Sequence, residues 1–180
     1  MPSLAVSGGW RLFLHRTMKL IIRLFALLGA IFVAGCVVQQ SVPFNTGDFQ
    51  AFKGSGLATI TGRAFLATTE GNSVSGAGSV VQLTPATPYT KERFAIARSG
   101  SAAEPPDPRL AQYVWTTVGD NQGNFVFRGV PPGEYLLSCS IRTFVSSGYQ
   151  VSMTPRTEET FATVTVAGGE SAKVVLTNGR

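Results

Sequence analysis

The run Gly123-Asn-Phe-Val-Phe-Arg-Gly-Val-Pro-Pro-Gly-Glu-Tyr-Leu-Leu137 restricts the fold more than any other part of this chain. Phe125 and Phe127 alternate with Val126 and Arg128, which is the period of a strand with one buried face. Residues 129–133 then force a tight reversal, because two prolines fix φ and the flanking glycines accept unusual dihedrals. Alternation resumes with Tyr135, Leu137, Cys139 and Ile141 on one face and Leu136, Ser138 and Ser140 on the other. Upstream, Asp120-Asn-Gln-Gly123 is a second turn, with a glycine free to take φ > 0. Two turns around an aromatic strand predict a β-meander that other strands must cover.

The remaining chain supplies such strands. Ala58, Ile60, Gly62, Ala64 and Leu66 alternate with Thr59, Thr61, Arg63 and Phe65. Gly71 to Gly78 reads as a glycine-serine turn, followed by Val81 and Leu83 at strand spacing within Ser79 to Thr84. Tyr113 to Val118 is rich in β-branched and aromatic residues. Ala162, Val164 and Val166 alternate with threonines, residues 167–170 turn the chain, and Val174 and Leu176 face inward again. Seven short strands separated by turn signals, with no helical period after residue 36, predict an all-β sandwich.

One connection is long. Pro85 to Leu110 holds five of the ten prolines, and Pro105-Pro-Asp-Pro108 cannot be a central strand. A connection of this length in a compact domain is usually functional or mobile. Tyr89, Lys91, Arg93 and Phe94 mix aromatic and basic groups and are its candidate binding residues; the competing reading is a surface loop with a short helical turn at Lys91 to Ala97.

Ahead of the sandwich, Lys19 and Arg23 form a short positive region and Leu24 to Val33 an apolar one, too short for a membrane span of ~20 residues. Val33-Ala34-Gly35-Cys36 resembles the bacterial lipobox, whose cysteine is acylated after signal-peptide cleavage. Residues 18–35 are accordingly expected to be a lipoprotein signal helix, with 1–17 a gene-model extension because Met18 is the better initiator. Val37 and Val38 after the cysteine favour, by analogy with enterobacterial lipoproteins, the outer membrane facing the periplasm in a cell that has one. Residues 36–56, with Gln39, Gln40, Ser41, Pro43, Asn45, Gly47, Gly54 and Ser55 and only weak periodicity, read as the lipidated cysteine and a flexible tether, although Phe44, Phe49 and Phe52 could dock onto the domain's side.

Charge and residue usage exclude several functions. Arg11, Arg16, Lys19 and Arg23 precede Cys36, so eleven of the fifteen basic residues remain against ten acidic ones. That balance offers no electrostatic footprint for nucleic acid. His15 is the only histidine and also precedes Cys36, leaving the rest without an imidazole ligand or a Ser-His or Cys-His pair. Cys139, on an apolar strand face, is expected to pack as a small hydrophobe. Asp120 to Asn124 is read as a hairpin turn rather than a calcium loop, and Glu158 and Glu159, being adjacent, should point to opposite faces as solvated groups. Trp115 and Tyr135 could stack on sugars if exposed, but core packing is the expectation. No catalytic residue, metal site or cofactor is expected.

Ile60-Thr-Gly62, the glycine-serine turn before Val80-Val-Gln-Leu83, Thr116-Thr-Val-Gly-Asp120 and the Gly-x-Phe-x-Phe, Pro-x-Gly-x-Tyr hairpin are similar to the carboxypeptidase regulatory-like domain. The resemblance implies a seven-strand transthyretin-like (prealbumin-like) β-sandwich over residues 57–178, interrupted by the insertion at 85–110. It implies no peptidase, since in metallocarboxypeptidases this domain accompanies a separate zinc-bearing catalytic domain. The expected function is a non-catalytic, lipid-anchored envelope lipoprotein whose sandwich binds or scaffolds. The alternatives are a carbohydrate-binding module or a structural subunit of an envelope or secretion complex, with a membrane and an envelope protein or glycan as partners.

Overall fold

The structure is a computed structural model that describes residues 37–68, 71–146 and 153–178. The expected signal helix, Val33, Ala34, Gly35 and Cys36 lie outside the described residues. The strands are β1 (Val37–Val38), β2 (Ala58–Ala67), β3 (Ser73–Ser75), β4 (Val80–Pro85), β5 (Ala102–Ala103), β6 (Trp115–Val118), β7 (Asn124–Val130), β8 (Gly133–Ser146), β9 (Met153–Val166) and β10 (Ser171–Leu176). One α-helix, α1 (Pro88–Arg98), and two 3-10 helices, Thr46–Phe52 and Pro108–Tyr113, complete the described elements.

Two four-stranded sheets pack face to face. In the first, β2 is central: β10 runs parallel along one edge, while β7 and then β3 pair antiparallel along the other. The second has the order β6-β4-β8-β9 with every pair antiparallel, and β8 and β9 pair from Gly133↔Val166 to Ser146↔Met153. The all-β sandwich expected from the alternation is therefore present. Its core draws Ile60, Ala64 and Leu66 from β2, Phe125 and Phe127 from β7, and Tyr135, Leu137, Cys139 and Ile141 from β8. These are the inward faces that the period of two assigns. The Tyr135 hydroxyl, fully buried, donates to the Pro131 carbonyl at 2.8 Å, so its burial leaves no donor unpaired.

The expected meander is not what forms. β7 pairs with β2 in the first sheet, whereas β6 and β8 belong to the second. Both turns around the aromatic strand thus carry the chain between sheets instead of joining hairpin partners. At the first, Asp120 accepts from the Gln122 and Asn124 amides at 2.8 Å and from the Asn124 side chain at 3.0 Å. Gly123 has φ 80°, and a Cβ there would collide with the Ala64 carbonyl, so glycine is required twice over. The Asp120 carboxylate is spent on this turn.

Three further expectations change. The chain after residue 36 is not without helical period, because the short turn read at Lys91 to Ala97 is part of the longer helix α1 within Pro85 to Leu110. Thr87 caps it with a reciprocal Thr87–Thr90 capping box, and Pro88 occupies its first turn. Tyr113 closes a 3-10 helix, and the strand expected from Tyr113 begins at Trp115. Lastly, the compact unit starts at Val37, well before Leu57. The expected flexible tether is folded onto the domain from Gln40 onward, and Phe49 is fully buried. Phe49, Tyr89, Leu110 and Tyr113 form a second cluster, with Phe44 stacked on Phe49 at 4.9 Å and Phe49 on Tyr113 at 4.5 Å. Aromatic area supplied by three separate segments explains why polar linker composition did not keep this stretch loose.

Candidate functional site

The outer face of the second sheet is where side chains converge. Outward positions along β4, β6, β8 and β9 carry Gln82, Thr84, Thr116, Ser138, Ser140 and Glu159, interrupted by apolar Leu136 and Phe161. The insertion covers the apolar part. Phe94 of α1 meets Phe161 edge-to-face at 5.1 Å, and Leu136 is buried although it points away from the core. Lys91 pairs with Glu134 at 2.6 Å across the same junction. Both side chains are about half exposed, so the pair adds orientation more than stability.

Between insertion and sheet lies a cleft of about 630 Å³. A second hollow of about 520 Å³ continues it toward the β3–β4 turn, adding Ser79, Ser140 and Arg142. The two share Gln82, Ser138 and Glu159, which makes them halves of one groove. Its floor is rigid strand bearing an amide, hydroxyls and a carboxylate. Its wall is α1, contributing Arg93, Phe94 and Ala97. Glu159 accepts from Ser140 Oγ at a long 3.4 Å and keeps most of its capacity free. Asp107, at the rim, is committed: Arg109 binds it through Nε at 2.9 Å and Nη2 at 2.8 Å. The Arg109 side chain and amide hold that carboxyl down to about 2.

The four candidate residues of the insertion separate. Arg93 and Phe94 line the groove. Arg93 is oriented by Gln40 Oε1 at 3.1 Å and the Glu104 carbonyl at 2.9 Å, leaving part of its guanidinium to the cleft. Lys91 is turned to Glu134. Tyr89 is only 5 % exposed; its hydroxyl accepts from the Asp107 amide at 2.8 Å, and it packs in the second cluster, so it presents no ring to a ligand. Trp115 packs against Tyr135, itself without exposed surface, so both serve the core. Glu158 and Glu159 do point apart, Glu158 toward Asn178 Nδ2 at 3.5 Å. Their divergence follows from adjacency on a strand, but Glu159 faces the groove and not the open solvent expected for it. Outward Leu136 and Phe161 were the missed signal, because apolar residues on a solvent face imply a cover and hence a crevice at its edge.

The groove is chemically suited to binding. Cys139 faces the core and burial pushes its thiol up, away from nucleophilic use. Among the described residues no three His, Cys, Asp or Glu groups gather in a metal-ligating arrangement, and no helix is long and apolar enough to cross a membrane.

A carboxylate on α1 fixes the chain that leads into the domain. Glu92 accepts the Ser41 hydroxyl, the Ser41 amide at 3.0 Å and the Val42 amide at 2.8 Å. The Ser41 hydroxyl first, then the Val42 and Ser41 amides, lower its pKa. A lowered folded-state pKa contributes stability that is complete above the unfolded value, about 4.3, and is lost as pH falls through the folded one. Amide protection over residues 41–52, the exchange rate relative to that of an unfolded chain at the same pH, should therefore hold steady from neutral pH to about pH 5 and fall below the ordinary glutamate range. Protection there should be low at every pH in Glu92→Ala; an acid loss of protection that survives this substitution would remove Glu92 as its cause.

Searches against protein families and against curated proteins find no match. Among solved structures, the crystal structure of a "putative carbohydrate binding protein" from Pseudomonas aeruginosa is similar at 29% identity and a TM-score of 0.65, covering 76% of this chain and 99% of that one. The minor pilin GBS52 of Streptococcus agalactiae aligns at 14% identity and a TM-score of 0.34, covering 68% of this chain and 44% of the pilin. The second likeness is too low to carry an argument.

Proposed function

We propose that this chain is a non-catalytic, lipid-anchored binding module of the cell envelope whose outer-face groove holds a carbohydrate. In a cell with an outer membrane it faces the periplasm from that membrane. The carrying observation is the groove itself: Gln82, Thr116, Ser138 and Glu159 on rigid strands beside the Phe94–Phe161 wall. Sugar hydroxyls both donate and accept, which suits an amide, hydroxyls and a carboxylate, and the aromatic wall offers apolar contact to a sugar's C–H face. The likeness to the Pseudomonas protein, over nearly all of that protein's length, supports the same reading. Acylation at Cys36 is supported by the Val33-Ala34-Gly35-Cys36 sequence at the end of an apolar run. The carboxypeptidase regulatory-like resemblance is supported by the sandwich and by glycines and prolines at the sheet-to-sheet turns.

The test is a glycan array followed by calorimetry with the glycan it selects. Replacing Gln82 and Glu159 together by alanine removes two exposed partners, each worth about 0.5–1.5 kcal/mol, so affinity should fall by about 5- to 150-fold. The melting midpoint should stay in place, because both positions are exposed. Binding unchanged in the double variant, or a wild type that binds no glycan, would remove the groove as a sugar site.

A further inference from the structure

The segment that follows Cys36 is captured by the domain almost at once. Gln40 Nε2 donates to the Tyr89 carbonyl at 2.8 Å, and Arg93 donates to Gln40 Oε1. Ser41 and Val42 are held by Glu92 one turn along the same helix. Ahead of these, Val37 and Val38 run parallel to Ala102 and Ala103. Every one of these partners belongs to the insertion. Val37–Gln40, even if fully extended, spans at most ~14 Å. The β1–β5 bridge shortens that reach further.

We infer that the edge of the insertion formed by β1, β5 and the C-terminal half of α1 lies against the lipid bilayer, so that the domain rests on the membrane instead of standing off on a tether. The inference rests on the proposed acylation of Cys36, since an acylated cysteine is confined to the bilayer interface. A flexible linker would leave the domain free to tumble, whereas a captured one transmits the position of its first residue to the fold. The edge is suited to headgroups rather than to the hydrocarbon interior. Arg98, Ser99, Gly100 and Glu104 are exposed there, with charges of both signs. The opposite surface is the outer face of the first sheet, where Lys173 is exposed. Two sheets pack ~10 Å apart, so both sheets separate Lys173 from the insertion that covers the second.

Single-cysteine labelling measures this. Cys139 is 2 % exposed and Cys36 would be acylated, so a maleimide fluorophore reacts selectively at Glu104→Cys or Lys173→Cys. Protein purified from membranes is reconstituted into phosphatidylethanolamine–phosphatidylglycerol vesicles carrying a headgroup nitroxide quencher, and flotation is scored in parallel with Cys36→Ser. The Glu104 label should be quenched several-fold more than the Lys173 label. A Gly/Ser spacer of about 15 residues between Cys36 and Val37, with an r.m.s. span of ~20 Å, should bring the two together. Flotation with both labels quenched alike, before any spacer is added, would overturn the apposition and leave the anchor standing. Failure of the wild type to float, or equal flotation of Cys36→Ser, would overturn the acylation and the apposition with it.

Discussion

Phe127→Ala is expected to lower the stability of residues 37–180 by about 3–5 kcal/mol, the cost of emptying a buried phenylalanine site. Phe127 is 5 % exposed, sits opposite Ile60 in the β2–β7 ladder and meets Phe125 edge-to-face at 6.0 Å. Its neighbours belong to paired strands, so they cannot close the gap without breaking ladder hydrogen bonds. For a domain of this length the melting midpoint should drop by about 10 °C or more. The neighbouring exposed Arg128→Ala should shift it by no more than about 1–2 °C, in line with an ordinary surface change. Equal midpoints for Phe127→Ala and wild type would mean that the first sheet does not bury its β7 face.

Phe49→Ala is the second large effect, and it separates a folded N-terminal segment from a tether. A tether residue would be indifferent to truncation. Phe49 has no exposed surface and lies between Phe44 and Tyr113, so its loss should cost about 3 kcal/mol, the lower end for phenylalanine because a small satellite cluster can partly collapse. The effect should also travel. Phe44 meets Tyr89 edge-to-face at 5.3 Å, and Arg109 lies 4.7 Å over the Phe44 ring, so removing the ring weakens support for α1 and for Pro108–Tyr113. Amide exchange in α1 should rise in Phe49→Ala while β8 and β9 keep their protection. Unchanged exchange in α1 would show that the Phe49 cluster does not support the insertion, which would then rest on its other contacts, such as Phe94–Phe161 and Lys91–Glu134.

The two residues differ in how far the sequence could disclose them. Phe127 sits in an alternating run whose period of two gives both its secondary structure and its inward face. That signal lies within the strand itself, so every expected strand is found and the core of β2, β7 and β8 is the expected one. Phe49 sits in a polar stretch with weak periodicity, and its burial depends on Tyr89, Leu110 and Tyr113, which arrive from residues far along the chain. The groove shares that character. Gln82, Ser138 and Glu159 are each ordinary outward positions on a strand, and they become a site only because β4, β8 and β9 are neighbours and α1 folds over them.

By itself the sequence determined seven of the strands, their buried faces and the turn glycines, because each depends on residues within a few positions of one another; β1, β3 and β5 instead form within the stretches read as tether, glycine-serine turn and loop, where the partner strand decides. Tertiary structure decided which sheet each strand joins. Turns at Asp120–Gly123 and Val130–Gly133 look like hairpin turns locally, yet β7 leaves both neighbours to pair with β2, more than fifty residues upstream. Strand pairing satisfies backbone donors and acceptors that any strand carries, and so the choice of partner is written in the packing of the whole core and not in the strand that makes it.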